Sequence, residues 1–337
     1  MSKAAELAAL IGSQTALSNR NLIINGAMQV YQRGSQAGVR NTYAVDRFKL
    51  LGSGSQLFTY SQSTTVPSGE GFSYSAKLDV TTADTSVAAG DYQILRYLFE
   101  GQDLQHLKYG TSDAQSLTLQ FWVRSPKTGT HIVELGHTDD GSFNSQSFTI
   151  ASADTWQKVT LTFDGYQTTS ITNDNTDSFR ITWWLMAGSD YSGGTLSSNT
   201  WQSTTANRAV GQVNVADSTS NEFYITGVQL EVGEQDTPFE HRSFGDELLR
   251  CQRYYLKTVA SQQQYQADGG NISNGSLCSF PCEMRASPTI SYTNLYASLT
   301  NAAYTNFITS SSFYYYVNVT GTGTHYRQDT VKADAEL

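Results

Sequence analysis

Residues 117–124 read LTLQFWVR, and apolar and polar side chains alternate along this stretch. Successive side chains of a β-strand point to opposite faces, so a period of two predicts a strand with one buried face. The apolar row consists of Leu117, Leu119, Phe121 and Val123, and the opposite row consists of Thr118, Gln120, Trp122 and Arg124. The stretch therefore predicts a half-buried strand whose second face carries a tryptophan among polar groups.

The same alternation extends over the middle of the chain. In FRITWWLM (179–186) one predicted face holds Phe179, Ile181, Trp183 and Leu185, and the other holds Arg180, Thr182, Trp184 and Met186. WQKVTLTF (156–163) and FYITGVQL (223–230) alternate in the same way, and turn-forming residues such as Asp139, Asp140 and Gly141 separate the strands. Many strands of this length with such turns predict an all-β protein built around a jelly-roll β-sandwich.

The two ends of the chain depart from this pattern. Residues 3–11 (KAAELAALI) predict a short helix within an N-terminal segment 1–20, which is too short to be stable alone and must dock on its own domain or on other chains. We expect the jelly roll to span 21–240 and a short helix at a junction to span 241–261. A small β domain is expected over 262–337.

Composition excludes some classes of function. The chain has 337 residues and a formal net charge of −9, whereas a nucleic-acid partner requires a basic surface. Charged residues make up 15% and aromatic residues 12%, which is not the composition of a disordered chain. No apolar run approaches the roughly 20 residues of a membrane span, and the start MSKAAELAALIG lacks the apolar core of an export signal. We therefore expect cytoplasmic synthesis, no membrane insertion and no nucleic acid.

Nothing in the sequence marks a catalytic site. A glycosidase needs two carboxylates held about 5 to 10 Å apart, but the glutamates are scattered over strands and loops and no two form a recognisable pair. The chain has no G-x-S-x-G, H-E-x-x-H or P-loop motif. The sequence predicts a protein that is not an enzyme and has no cofactor. The oxygen-rich stretch 173–177 (NDNTD) leaves a structural calcium open, although turn formation is the favoured interpretation.

Several long motifs resemble a family of phage virion proteins, mostly tail-fibre or appendage proteins, that is common among phages of cyanobacteria and other marine bacteria. The motifs are NRNLIINGAMQVYQRG (19–34), DRF (46–48), ITGVQLEVGEQDTPFEHRSFGDELLRCQRYY (225–255), FPCEMRASPTISY (280–292) and KADAEL (332–337). They are spread over nearly the whole chain.

The resemblance implies a carbohydrate-binding-module type of jelly roll in the central region, where QLE (229–231) recurs in the last strand of such modules. It also implies a homotrimer on the virion. The N-terminal segment is expected to attach to other virion proteins, and the distal domains are expected to contact the host surface.

A sugar-binding face needs flat aromatic rings together with amides and charged groups. Trp122 and Trp184 are predicted to form such a platform, each on the face opposite the apolar row of its own strand. The predicted polar companions are Arg124, Gln120, Arg180 and Thr182. The polar loop 189–208 adds Tyr191 and Trp201 as surface contacts or as loop anchors. The alternative is that an N-terminal strand or a neighbouring chain covers this face.

A second set of apolar residues is predicted to lie between subunits. The set consists of Leu7 and Ile11 in the N-terminal helix, Leu248, Tyr254 and Tyr255 at the junction, and Tyr315 in the run Tyr314–Tyr316. Exposed aromatic patches mark interfaces.

The sequence thus predicts a non-enzymatic virion structural protein, a trimeric tail fibre or appendage that contacts a host glycan or protein. One alternative is a capsid or neck fibre or decoration protein that stabilises or decorates the particle. A lesser alternative is a glycan-binding module of a polysaccharide-acting enzyme.

Overall fold

The computed structural model describes residues 19–267, 272–298, 300–319 and 321–337. This part of the chain forms two compact units, the first ending at Ser243 and the second running from Phe244 to Leu337. Strands dominate both units, which confirms the all-β prediction. The predicted N-terminal helix lies outside the described residues.

The first unit consists of strands joined by turns and short helices. In chain order the strands are β1 (Gln36–Val39), β2 (Thr42–Tyr43), β3 (Phe48–Ser53), β4 (Leu57–Ser63), β5 (Ser75–Thr82), β6 (Tyr92–Glu100), β7 (Leu117–Arg124), β8 (Gly129–His137), β9 (Ser142–Ile150), β10 (Gln157–Phe163), β11 (Asp177–Ala187), β12 (Trp201–Gln202) and β13 (Glu222–Val232). The connections include 3-10 helices at Gly101–Leu107, Thr205–Asn207 and Val215–Asp217 and a single α-helical turn, α1 (Ser189–Ser192).

These strands form two antiparallel sheets. One has six strands in the order β1-β4-β5-β13-β7-β10, and the other has seven in the order β12-β9-β8-β11-β6-β3-β2. Most neighbours in a sheet are distant in sequence, so the chain crosses repeatedly between the sheets, as in a jelly-roll sandwich. The predicted jelly-roll β-sandwich is confirmed.

The core lies between the two sheets, where the apolar rows of β7 and β11 meet. The ring centroids of Phe121 and Trp183 are 5.8 Å apart with an interplanar angle of 88°, an edge-to-face arrangement that aromatic pairs favour. Both rings are fully buried. Removing either ring would cost about 3–5 kcal/mol of stability. The stretches 117–124 and 179–186, which predict the fold, therefore contribute facing rows of side chains to its core.

The register of β11 corrects one prediction. Trp184 pairs with Ile94 on β6 but Met186 pairs with Gln93, so two residues of β11 oppose one step of β6. Such a bulge moves the following residue to the other face. Met186 is accordingly fully buried in the core between the sheets, not on the outer face with Trp184.

A set of hydrogen bonds that we call the clasp joins the start of the first unit to its end. The Glu240 carboxylate accepts the backbone N–H of Asn19 and of Asn21, each at 2.8 Å. The Arg242 guanidinium donates to the carbonyl of Ile23 at 2.8 Å. Burial opposes ionisation of Glu240, but the two backbone hydrogen bonds outweigh it and lower the pKa of this carboxyl.

The second unit begins with helix α2 (Phe244–Gln252). Its strands are β14 (Tyr255–Gln266), β15 (Ile272–Ser279), β16 (Thr289–Ser298), β17 (Thr300–Asn306), β18 (Ser312–Val319) and β19 (Gly323–Asp334), which form two three-stranded sheets in the orders β14-β19-β16 and β15-β18-β17. A small core of its own includes Met284, Phe313 and Val331. Among the described residues, no helix is both long enough and apolar enough to cross a bilayer.

Candidate functional site

The outer face of the seven-stranded sheet carries a cluster of polar side chains at its centre, where β8, β11 and β6 run side by side. Arg180, Thr182 and Trp184 alternate along β11 and share this face. Thr182 pairs with Glu134 on β8 and with Arg96 on β6. Glu134, Thr182 and Arg96 therefore form one row across three strands spaced about 4.8 Å apart. Arg180 lies in the next row.

The loop 188–214 folds over one end of this face. The Trp184 ring packs against Tyr191 at 5.3 Å and Tyr92 at 6.4 Å between centroids, and Ala209 joins the same apolar cluster. Only 2% of Trp184 is exposed. The prediction of an open platform at Trp184 is wrong, because a loop of the same chain covers the ring. Tyr191 is half-buried and serves as part of that cover.

Arg208 reaches from this loop to the sheet and binds Glu134 through two hydrogen bonds. Its Nε donates to Oε2 at 2.8 Å and its Nη2 to Oε1 at 2.5 Å. The guanidinium also lies 5.3 Å from the ring of Phe143 and 5.2 Å from that of Trp184. Burial favours the neutral form, but attraction to Glu134 outweighs it and raises the pKa of Arg208. Arg208 and Glu134 thus form an ion pair that is largely removed from water and held in a fixed geometry by two hydrogen bonds.

Arg96 and Arg180 have no such partner. Neither makes a hydrogen bond or an ion pair with any residue that the structure describes, and the Nε of each is buried without a partner. Both side chains are half-buried rather than enclosed. Burial, and next the positive charge of Arg180, lower the pKa of Arg96 to about 10, so both guanidinium groups stay charged at neutral pH. The face thus presents two charged donors that the described protein groups leave unpaired.

Three further polar atoms on this face also lack a partner among the described residues. They are Oγ1 of Thr182, Nε1 of Trp184 and Oγ of Ser145, which pairs with Glu134 in the strand register. An unsatisfied buried donor or acceptor costs about 1–3 kcal/mol. Such a concentration on one face is typical of a surface that completes its hydrogen bonds with a ligand or with water.

Trp122 lies on the opposite side of the sandwich, on the outer face of the six-stranded sheet. It pairs with Thr226 on β13 and Lys158 on β10. Since the apolar rows of β7 and β11 face each other across the core, their outer rows point in opposite directions. Trp122 and Trp184 therefore cannot form one platform, which corrects the prediction that groups them.

The polar companions of Trp122 already have partners. Gln120 donates to the carbonyl of Thr237 at 2.7 Å. Arg124 pairs with Asp154 at 2.9 Å and lies 5.0 Å from the centroid of the Tyr224 ring. These bonds hold the strand exit and a turn in place. Trp122 keeps a half-buried ring on this face, but the polar groups predicted to accompany it serve the fold.

Trp201 anchors the polar loop. Its Nε1 donates to the carbonyl of Asp164 at 2.7 Å, and its ring packs against Tyr166 at 4.8 Å and Tyr109 at 6.0 Å between centroids. Both of these tyrosines belong to the sandwich core. Of the two roles weighed for Trp201, the structure supports the anchor.

The predicted interface tyrosines are buried within the second unit. Tyr254 is 1% exposed, Tyr255 is 4% exposed and Tyr315 is fully buried. The Tyr315 hydroxyl donates to Asp329 at 2.6 Å. The prediction that these three contact other subunits is corrected, since their own unit encloses them. Leu248 is half-buried, and the predicted contacts Leu7 and Ile11 lie outside the described residues.

Large apolar side chains are nevertheless exposed on the second unit. More than half of the surface of each of these is exposed: Phe244, Val259, Tyr265, Leu277, Leu295, Tyr296 and Phe307. Isolated exposed apolar residues are ordinary, but seven large ones in a unit of this size are a high number. The sequence pattern predicts the exposed apolar residues at other positions.

The aspartate side chains of the acidic turns accept hydrogen bonds from nearby backbone N–H groups. Asp174 accepts the N–H and the hydroxyl of Thr176 at 2.8 and 2.6 Å, and Asp139 accepts the N–H of Thr172 at 2.8 Å. Within the described ranges, no group of three or more His, Cys, Asp or Glu residues is arranged to hold a metal ion. The turn interpretation accounts for these carboxylates, and a calcium site remains a prediction without support here.

Arg96, Glu134 and Arg208 were not predicted as site residues. Arg96 stands between Leu95 and Tyr97 in the otherwise apolar stretch YQILRYLFE (92–100), and a lone cation in such a strand is the signal that could have found it. Arg208 ends a polar loop of 20 residues, 189–208, where nothing in the pattern singles it out.

No family model and no curated protein sequence matches the chain. Solved structures with a similar fold include the enzymatically active domain of tailspike protein 4 of bacteriophage CBA120, at 13% identity and a TM-score of 0.36, covering 64% of this chain and 22% of that one. This chain therefore spans less than a quarter of the tailspike domain's length.

Two carbohydrate-binding modules are similar at the same level. The family 11 module of a cellulosomal cellulase of Clostridium thermocellum has 12% identity and a TM-score of 0.28, covering 60% of this chain and 97% of that one. A xylanase of the same organism, whose structure holds a family 22 module and xylohexaose, has 11% identity and a TM-score of 0.28, covering 63% of this chain and 30% of that one. Likenesses this distant carry no argument about function.

Proposed function

We propose that this chain is a non-catalytic glycan-binding protein and that the ligand occupies the outer face of the seven-stranded sheet. One observation carries the proposal: four polar side chains on that face, Arg96, Ser145, Arg180 and Thr182, have a buried polar atom without a partner among the described residues. Sugar hydroxyls both donate and accept hydrogen bonds, so a glycan matches a surface that mixes hydroxyls and N–H donors.

A rigid base supports binding at this face. The central strands β8, β11 and β6 are paired on both sides, and the loop 188–214 is fixed on them by the Arg208–Glu134 pair. Groups on paired strands are held more precisely than groups on free loops. The half-buried Tyr191 at the rim of the loop offers an aromatic edge beside the polar row.

We further propose that the protein is part of a phage virion, as a trimeric tail fibre or appendage that contacts the host surface. The sequence resemblance supports the virion assignment, and the exposed apolar side chains of the second unit support association with further copies. Trimerisation multiplies weak sugar contacts without new chemistry. The N-terminal segment would attach the chain to other virion proteins.

A capsid or neck decoration protein is the second candidate. It would use the same exposed apolar surface of the second unit to bind the particle instead of sister copies. Antibody labelling of particles separates the two, since labelling at the tail or fibre supports adsorption and uniform labelling of the shell supports decoration. The lesser candidate, a module of a polysaccharide-acting enzyme, predicts a catalytic domain on the same polypeptide.

A glycan array probed with the full chain tests the proposed function. We expect binding to at least one class of bacterial surface glycan, and loss of binding in a Thr182→Val variant, which keeps the shape and removes the hydroxyl. The matched control is Thr160→Val, on the outer face of the six-stranded sheet, which should bind normally. Failure of the wild-type chain to bind any glycan contradicts the proposal.

A further inference from the structure

The polar face of the seven-stranded sheet has a charge that differs from that of the chain as a whole. We propose that Arg96 and Arg180 hold the acidic group of the glycan, a carboxylate, sulfate or phosphate carried on the sugar; this inference rests on the proposed function and specifies its ligand. A formal net charge of −9 for the chain suggests a neutral partner. The local arrangement of charges indicates the opposite.

Arg96 and Arg180 are diagonal neighbours in the strand register. Arg96 on β6 is the cross-strand partner of Thr182 on β11, and Arg180 precedes Thr182 by two residues on the same face. Cβ atoms of cross-strand partners lie about 4.5–5.5 Å apart and diagonal neighbours about 7–8 Å apart. Arginine side chains are longer than that separation, so the two can reach one anionic group between them. Burial, and next the positive charge of Arg180, lower the pKa of Arg96, and the second cause fits this placement.

The carboxylates of the protein attract the two arginines but form no hydrogen bond or ion pair with either of them among the described residues. Glu134 is engaged by Arg208 through both of its oxygens. Asp177 accepts a hydrogen bond from Thr138 at 3.2 Å and attracts Arg180 and Arg96, but it forms no ion pair with a described arginine. Lys49, which pairs with Arg96 in the register, brings the cationic side chains of this face to four, against the three carboxylates of Glu134, Asp177 and Glu100, the last being the register partner of Asp177.

The geometry of the donors suits an oxyanion. A guanidinium presents a planar fork of N–H donors that matches carboxylate, sulfate or phosphate oxygens, often in pairs of parallel bonds. Thr182 is the register neighbour of both arginines, and its hydroxyl can donate or accept. A neutral sugar would satisfy the hydroxyl but would leave both charges half-buried and unpaired, so the acidic sugar is the better fit.

Matched pairs of glycans that differ only in the acid test this inference. The carboxylate pair is oligogalacturonate and its methyl ester, the sulfate pair is dextran sulfate and dextran, and the phosphate pair is phosphomannan and mannan. Affinities of the full chain are measured by calorimetry at two salt concentrations. We expect the acidic member of at least one pair to bind about ten-fold or more tightly than its neutral partner, and added salt to weaken only the acidic member.

Substitutions then assign the preference to the two arginines. Arg96→Gln and Arg180→Gln should each remove the preference for the acid and leave any binding of the neutral partner unchanged. Lys158→Gln, an exposed cation on the other outer face, is the matched control and should change nothing. Circular dichroism and the Tm show that each variant is folded.

A measurement that does not depend on the polymer uses the arginine side-chain N–H resonances. Millimolar galacturonate, galactose 6-sulfate or galactose 6-phosphate should move the Nε–H signals of Arg96 and Arg180, and galactose should not. The inference is overturned if all three acids leave both signals unmoved, if acidic and neutral polymers bind equally, or if the preference survives both substitutions. If a neutral glycan binds as tightly as its acidic partner, the inference fails but the proposed function still stands. If single-stranded DNA binds as tightly as the acidic glycan, the face is an unselective polyanion surface and the inference is overturned.

Discussion

Arg180 lies across Gly136 on the neighbouring strand. A Cβ built on Gly136 would fall 2.7 Å from the Nε of Arg180 and 3.0 Å from its Cγ. The glycine weakens β8 as a strand residue, but it provides the flat surface on which the arginine side chain rests. Its absence of a side chain lets Arg180 lie flat over β8, and a side chain at this position would displace the arginine.

Substitution of that glycine tests this arrangement. Gly136→Ala should push Arg180 away from the strand and weaken binding of the acid-bearing glycan by about ten-fold, with the sheet still folded because the displaced atoms belong to a flexible side chain. Calorimetry with wild-type and variant protein measures the change. Gly245→Ala is the control, because its Cβ would meet nothing within 4 Å. An unchanged affinity for Gly136→Ala would contradict the positioning role.

The Arg208–Glu134 pair makes a prediction about stability. Glu134→Gln keeps the shape of a fully buried side chain but leaves the guanidinium of Arg208 without its counter-ion. Breaking a buried pair in this way costs about 3–5 kcal/mol of unfolding free energy, measurable by urea denaturation. Asp236→Asn, which breaks the exposed Lys158–Asp236 pair, should cost about 0–1 kcal/mol. Equal costs for the two variants would refute the account.

A carboxyl in the 139–141 turn predicts a dependence of stability on pH. Burial alone would raise the pKa of Asp140, but hydrogen bonds from Thr169, Tyr166 and Ser142 outweigh it and lower the pKa from 3.8 to about 2. Because the folded state depresses this pKa, the stabilisation is present above 3.8 and is lost as the pH falls through about 2.

Denaturant titrations at successive pH values between neutral and strongly acid measure this loss. We expect the unfolding free energy of Asp140→Asn to fall less over the acid range than that of the wild type. Asp154→Asn, an exposed carboxyl, is the control and should follow the wild type. Parallel curves for wild type and Asp140→Asn would show that another group is responsible.

The opposite outer face predicts a negative result. Trp122→Ala should leave glycan affinity unchanged, because its sheet faces away from the unpaired arginines and its neighbours Gln120 and Arg124 are already bonded. Some stability will be lost, since the ring packs near Phe72 and Gly227. Calorimetry measures the affinity of the wild type and of the variant for the glycan that the wild type prefers. Loss of binding here would move the site to the six-stranded sheet.

The exposed apolar residues of the second unit predict its association. Light scattering of the full chain should give a trimer of the 37.0 kDa protomer, and the double variant Tyr265→Ser, Leu277→Ser should shift the population toward the monomer. Lys158→Gln should remain a trimer. A wild-type chain that is monomeric both in solution and on the particle would eliminate the trimer.

The sandwich was predictable because every second residue of β7 and β11 is apolar, and that pattern depends only on local geometry. The candidate site on the seven-stranded sheet was not predictable, because it depends on which strands become neighbours in the fold. Trp122 and Trp184 look alike along the chain, yet they lie on different sheets because β7 and β11 face each other. Arg96 and Arg208 are separated by more than 100 residues, and no local pattern predicts that they share a face. A one-residue bulge likewise separates Met186 from its expected row.

The clasp between Asn19, Asn21 and Glu240 has a mechanical consequence. Residues 19–21 and residue 240 lie side by side, and the Glu240 side chain ties these two segments of the first unit directly together. A force applied between residue 19 and residue 243 is carried by these short bonds and does not load the hydrogen bonds between the sheet strands. The seven-stranded sheet can therefore keep its geometry while the ends of its unit are under tension.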